Sequence, residues 1–117
     1  VVDVASYHAI LEKTGADAVM IGRGALGCPW LFAELLADIR GEAAPAAPSL
    51  TERGAIIMDH AELACRYKGE RIAMQEMRKQ LGWYVKGMPH AAALRRDGCT
   101  ISTLQDLQAL LKREQML

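Results

Sequence analysis

The residues best suited to binding a ligand are closely spaced glycines around an arginine. Arg23 lies between Gly22 and Gly24, directly after the apolar run of residues 18–21 and shortly before Pro29. This order predicts a buried strand, a glycine turn and a helix with Pro29 in its first turn. Such a turn can bind phosphate, because glycines let an anion approach the backbone N–H groups and the helix dipole favours negative charge. An ordinary strand–helix turn without a ligand explains the spacing equally well.

A second candidate surface is the polar side of a helix predicted over residues 70–86. At about 100° per residue, this side gathers four cations and no carboxylate, opposite an apolar face that runs from Ala73 to Val85. A solvated face is the ordinary explanation of such a stripe, but four cations without a carboxylate favour binding to a phosphate backbone. With two cations from the next segment, the predicted RNA-binding residues are Arg71, Arg78, Lys79, Lys86, Arg95 and Arg96.

Cysteine and charge usage exclude several other functions. Cys28, Cys65 and Cys99 are widely spaced without a Cys-x-x-Cys pair, so we expect a reducing compartment and neither a disulfide framework nor a zinc site. No Ser/His/Asp set, carboxylate pair or metal cluster can be assembled, so we assign no catalytic residue and no metal ligand. The segment 59–117 holds 10 basic and 7 acidic residues, which favours a polyanionic partner. No segment is typical of a signal peptide or membrane span, so we expect a cytoplasmic protein.

The elements that position these residues predict a mainly α chain in two parts. The Ala- and Pro-rich segment 42–50 predicts a linker between residues 1–41 and residues 51–117. The second part has the periodicity of a bundle of about four helices. Ser6, Cys28 and Thr51 are the expected N-caps of the first three helices. The helices are predicted over residues 6–14, 29–40, 51–68, 70–86 and 90–97, and after a capping box formed by residues 102–105.

Two blocks of the sequence resemble one family of flavin enzymes. The segment Gly15–Gly27, followed by Pro29–Phe32, is similar to the last barrel strand and phosphate loop of the tRNA-dihydrouridine synthases, which reduce uridine in tRNA. The block Met77–Pro89 resembles the helical domain that follows the barrel in the same family. The blocks stand in the family's order and the resemblance covers nearly the whole chain. A different FMN- or phosphate-binding barrel explains the first block but not the segment Trp83–Gly87.

The resemblance implies a role for each part of the chain. Residues 1–41 correspond to the C-terminal remnant of an FMN-binding (β/α)8 barrel, and residues 51–117 to a helical tRNA-binding domain. Gly22 and Arg23 would then bind the FMN phosphate, with NADPH or NADH as the reductant. The family's catalytic cysteine belongs to an earlier barrel loop, upstream of this chain. The family usually has Asn-Gly-Asp where this chain has Val-Val-Asp, of which only Asp3 matches.

These inferences lead to a specific expectation. The chain is the C-terminal portion of a tRNA-dihydrouridine synthase, a TIM-barrel enzyme that converts uridine to 5,6-dihydrouridine, with tRNA as its partner. Alone, it is expected to be inactive and not to retain FMN. Its exposed barrel strand offers a route to self-association. The alternative is a free-standing helical module that binds RNA or another partner.

Overall fold

The protein is mainly α-helical, as the sequence predicts. The computed structural model describes residues 1–117 and contains six α-helices, one 3-10 turn at Arg23–Ala25 and no β-strand. The chain forms two compact units, Val1–Ala47 and Pro48–Leu117. The helices are α1 Val4–Thr14, α2 Leu31–Ile39, α3 Leu50–Lys68, α4 Glu70–Tyr84, α5 Ala91–Gly98 and α6 Leu104–Arg113.

In the first unit, α1 begins with a reciprocal cap. The Asp3 carboxylate accepts a hydrogen bond from the Ser6 backbone N–H at 2.7 Å, and the Ser6 hydroxyl accepts one from the Asp3 N–H at 3.1 Å. Asp3 is therefore the N-cap, and the prediction that Ser6 caps this helix was wrong by three residues. The helix ends, as predicted, at Gly15, which adopts the left-handed conformation that glycine tolerates best.

The strand predicted over residues 18–21 is absent. Met20 is 93% exposed, and Val19 and Ile21 are only partly buried. A strand needs a neighbour to pair its backbone N–H and C=O groups. The described chain contains no other strand, so this apolar segment stays unpaired and has no regular secondary structure.

The second helix also begins later than predicted. Its first residue is Leu31 and its N-cap is Trp30, so Pro29 and Cys28 both precede the cap. The expectation that Cys28 caps this helix was therefore wrong. The N-caps of α3 and α6 are also shifted, because Ser49 replaces Thr51 as the cap of α3 and Thr103 pairs with Asp106 in the capping box of α6.

The second unit is a bundle of four helices. Helix α3 packs against α4 and α6, and α5 packs against both α4 and α6. A single residue, Gly69, joins α3 to α4 with φ 81°, a value that favours glycine. The buried face predicted for α4 and the residue after it is confirmed, and it comprises Ala73, Met74, Met77, Leu81, Tyr84 and Val85.

Close helix packing depends on two glycines in this unit. A Cβ atom on Gly54 of α3 would overlap the Met116 carbonyl oxygen and lie 2.7 Å from its carbonyl carbon. A Cβ atom on Gly98 of α5 would lie 2.6 Å from Leu81 Cδ2. Both distances are shorter than the carbon atoms of packed side chains allow.

Candidate functional site: a glycine turn and a cationic helix surface

The glycine turn of the first unit has free space beside Gly22, whereas the Val1 carbonyl group lies against Gly24. Its hydrogen bonds run from Ala25 N–H to the Gly22 carbonyl (3.3 Å) and from Leu26 N–H to the Arg23 carbonyl (3.1 Å). The turn itself therefore does not use the N–H groups of Gly22, Arg23 and Gly24. No atom lies within 4 Å of the position that a Gly22 Cβ would occupy, and the Arg23 side chain is exposed. This combination fits a phosphate group, which needs N–H donors, a cation and room.

The turn differs from the predicted arrangement in one respect. Residues 26–30 separate it from the first residue of α2, so Gly22 and Arg23 do not belong to that helix's N-terminus. The dipole of α2 therefore does not supply the attraction that the sequence suggested. Binding at this turn depends on local N–H groups and on the Arg23 charge.

In the second unit, the cations predicted on α4 have different environments. Arg78 is half-buried, and its Nε donates a hydrogen bond of 2.9 Å to the Ile101 carbonyl beyond α5. Lys79 Nζ lies 5.3 Å from the centre of the Trp83 ring, a cation–π contact. Arg78 therefore also links two parts of the bundle, so its replacement would affect stability as well as surface charge.

Three other predicted cations are free of ionic partners. Arg71, Lys86 and Arg95 are exposed, and no carboxylate pairs with them. We call these three residues the open cations. Arg95 comes from α5, but its Cδ lies 3.6 Å from the position that a Gly82 Cβ would occupy on α4. Since Gly82 lies one helical turn after Arg78 on α4, this proximity places the Arg95 stem beside the cationic side of that helix.

Arg96 is already engaged in a small ionic cluster. Its Nε lies 3.3 Å from Asp97, whose other carboxylate oxygen accepts a hydrogen bond of 2.5 Å from Arg113 of α6. The hydrogen bond from Arg113 is the main cause that lowers the pKa of Asp97 below its usual range. The Asp97–Arg113 pair joins α5 to α6. Sequence reasoning missed it, because the two residues lie in different helices.

A comparison with known proteins identifies the family. The family model for dihydrouridine synthase (Dus) matches residues 1–117. The chain belongs to the dihydrouridine synthase family.

Relatives within this family carry the same description. The chain is 43% identical over 111 residues to the "Probable tRNA-dihydrouridine synthase" of Mycobacterium tuberculosis (strain CDC 1551 / Oshkosh), covering 95% of this chain and 28% of the relative. It is 42% identical to the protein of that name from Mycobacterium leprae (strain TN), covering 95% of this chain and 29% of the relative. A Rickettsia conorii (strain ATCC VR-613 / Malish 7) relative of the same name is 39% identical over 73% of this chain and 26% of its own length. The chain thus spans less than a third of these relatives.

Two other titratable side chains form a pair in the second unit. His60 Nδ1 and the Tyr84 hydroxyl lie 2.9 Å apart between α3 and α4, where burial lowers the pKa of His60 and raises that of Tyr84. Burial also raises the pKa of the Cys65 thiol, so this cysteine is a poor nucleophile. No group of His, Cys, Asp and Glu side chains could hold a metal ion. None of the helices is long and apolar enough to cross a membrane.

Proposed function

We propose that this chain is the C-terminal portion of an FMN-dependent tRNA-dihydrouridine synthase, an oxidoreductase that reduces uridine to 5,6-dihydrouridine in tRNA. The position of Arg95 beside the cationic side of α4 supports the tRNA-binding part of the proposal, because it joins cations of two helices into one surface. The match of the family model to residues 1–117 supports the same function. We also expect this enzyme to work in the cytoplasm.

Within this proposal, the first unit holds part of the FMN site. The N–H groups of Gly22 and its neighbours would donate hydrogen bonds to the FMN phosphate, and Arg23 would offset its charge. FMN, when bound, supplies hydride chemistry, with NADPH or NADH as the reductant. We propose that this chain supplies no acid to the reacting carbon atoms and is inactive alone. The catalytic cysteine would lie in sequence outside this chain.

The second unit would bind the tRNA backbone. The open cations are exposed, and no carboxylate neutralises them, so they can bind phosphate groups. Lys79 is also exposed, whereas Arg78 and Arg96 have partners within the chain. Phosphate contacts of this kind position an RNA without reading its sequence. A free-standing RNA-binding module would use the same cations, but the glycine turn favours the flavin enzyme.

A salt titration of tRNA binding tests this proposal. In the protein at its full encoded length, Arg71, Lys86 and Arg95 are all replaced by Ala. We expect weaker binding. The slope of the logarithm of the binding constant against the logarithm of salt concentration should fall in magnitude by roughly 1 for each phosphate that the protein no longer neutralises, because fewer counterions are released. Arg78 is left intact, since its hydrogen bond to Ile101 supports the fold.

The matched control removes the same number of charges elsewhere. Lys13, Arg40 and Lys112 are exposed and make no ion pair, so their replacement by Ala changes net charge equally. We expect this control to bind tRNA nearly as the wild type does. If the two triple variants have the same affinity and the same salt slope, the open cations are only a solvated surface and the proposed RNA contact is wrong.

A further inference from the structure

One predicted RNA-binding residue, Lys79, lies against an aromatic ring instead of a carboxylate. Its Nζ is 5.3 Å from the centre of the ring of Trp83, which follows it by one turn of α4. The lysine is exposed, whereas the tryptophan is half-buried. An indole has only two side-chain torsions and a lysine has four, so the half-buried ring moves less than the lysine that it contacts. Trp83 therefore offers Lys79 a fixed surface.

No carboxylate competes with the ring for Lys79. Glu76 lies one turn earlier on α4, but its carboxylate pairs with Lys68 of α3 at 2.6 Å. Gln75, the other residue one turn earlier, carries no charge. Lys79 takes part in none of the ion pairs of the chain. Its ammonium group thus contacts the ring while no anion neutralises it.

A ring and a carboxylate affect a cation differently. Asp97 lies 3.3 Å from Arg96 Nε and offsets the charge of that arginine. The face of an indole also attracts a cation, through its quadrupole, but it has no net charge. The charge of Lys79 therefore stays available to a phosphate group, while the ring restricts the positions that the ammonium group occupies.

Restricting a cation before binding favours binding. A long, flexible side chain loses rotamer freedom when it contacts a partner, and that loss weakens affinity. Arg71 and Lys86 are exposed without an ionic partner, so they bear this cost when they bind a phosphate. Lys79 bears less of it, because the ring already limits its conformations.

We propose that Trp83 is a positioning residue for tRNA binding, whose ring holds the Lys79 ammonium group where it binds a phosphate of the RNA backbone. Trp83 acts through Lys79 and does not itself contact the RNA. The inference rests on the proposed function, since it takes tRNA as the partner. It adds an uncharged residue that strengthens the phosphate binding of a neighbouring cation.

The test is a double-mutant cycle on tRNA binding, with Trp83→Leu, Lys79→Ala and the double variant in the protein at its full encoded length. A cation–π contact at an exposed site changes the ratio of held to free conformers by about two- to fivefold. We expect Trp83→Leu to weaken tRNA binding by that factor. Its salt slope should equal that of the wild type, because it keeps every charge, whereas Lys79→Ala should reduce the slope by roughly 1.

The cycle separates positioning from other roles of the ring. In the Lys79→Ala background, Trp83→Leu should weaken binding no further, because the cation that the ring holds is gone. Trp83→Phe keeps an aromatic face and is expected to bind tRNA more tightly than Trp83→Leu. The matched control is Ile72→Ala, which removes another apolar side chain of α4, 42% exposed, and is expected to leave the affinity unchanged.

Three results would contradict the proposal. If Trp83→Leu weakens binding equally with and without Lys79, the ring stacks on RNA or supports the fold, and the positioning role is wrong. If Trp83→Leu binds as the wild type does while the triple variant without the open cations binds more weakly, this inference fails and the proposed function stands. If the wild type binds no tRNA, both proposals fail.

Discussion

The two units of the chain differ in how many of their apolar side chains they bury. In the unit formed by residues 48–117, four helices share a core whose largest members are completely buried, including Ile57, Leu81 and Leu107. In the unit formed by residues 1–47, the only buried apolar side chains are Leu31, Leu35 and Ala37. The difference follows from architecture, because each helix of the bundle finds a partner for its apolar stripe within the same segment of chain.

The first unit instead leaves an apolar cleft open. The cleft has a volume of about 540 Å³ and lies among α1, α2 and residues 17–21. Phe32 and Ile39 of α2 are 53% and 58% exposed. Exposed apolar surface of this kind is typical of an interaction site. Self-association through this unit stays a prediction.

The largest expected effect tests how closely the side chains in the core of the bundle are packed. Leu81→Ala removes a side chain that has no exposed surface, so we expect the free energy of unfolding to fall by about 2–5 kcal/mol. Ile39→Ala in the first unit, where the side chain is 58% exposed, should change it by less than about 0.5 kcal/mol. Urea denaturation followed by circular dichroism measures both. Equal reductions would remove the distinction between the two units.

A smaller effect sharpens the comparison by locating the closest packing in the bundle. Gly54→Ala places a methyl group against the Met116 backbone, and we expect the free energy of unfolding to fall by about 1–3 kcal/mol despite the better helix propensity of alanine. Gly82→Ala, also in a helix, meets only the Arg95 stem at 3.6 Å and should stabilise the protein by about 0.5–1 kcal/mol. Thermal unfolding of the two variants decides this. A stabilised Gly54→Ala protein would show that the approach of Met116 is not tight.

The smallest expected effect is a change in how stability depends on pH in acid. It compares Asp97, which forms an ion pair between two helices, with Asp3, which caps a single helix. Asp97 has a lowered pKa in the folded protein, chiefly because Arg113 donates a hydrogen bond to it, and Asp3 has a lowered pKa because Ser6 donates to it. Below a pH of about 4 the unfolded chain therefore binds more protons than the folded protein. Each carboxylate stabilises the fold at pH values above the usual carboxyl pKa. That stabilisation is lost as the pH falls through the lowered pKa of the folded protein.

Replacement by asparagine separates the two carboxylates. Asp97→Asn should weaken the bundle at neutral pH and make its stability decline less steeply in acid, whereas Asp3→Asn should affect only the first unit. Denaturant unfolding at several pH values between about 2 and about 7 provides the measurement. Asp59→Asn is the control, since that exposed carboxylate makes no hydrogen bond or ion pair. An Asp97→Asn profile that matches the control would show that the link between α5 and α6 contributes nothing.

Helix periodicity explains what the sequence could predict. The apolar face of α4 was predictable because it repeats with the helical period, and the bundle of four helices followed from similar patterns. N-caps were less predictable where two side chains compete. Ser49 and Thr51 are both capable caps, and their hydroxyl oxygens lie only 3.3 Å apart at the start of α3.

Other features depend on partners that are distant in the sequence. The segment 18–21 has the composition of a buried strand, but composition cannot provide the neighbouring strand that it needs. Arg78 looks like any other cation of its stripe until the fold brings the Ile101 carbonyl within 2.9 Å.

The single-residue link at Gly69 has a consequence for the order of folding. Because α3 and α4 are joined by one residue, closing their interface costs little loop entropy, whereas the packing of α3 on α6 joins residues far apart in the chain. Interactions between near neighbours in sequence form early in small helical proteins. We therefore expect the α3–α4 hairpin to be the folding nucleus, with φ-values higher at Met77 than at Leu107 of α6. The bundle that appears static in its final form would then be assembled from this corner outward.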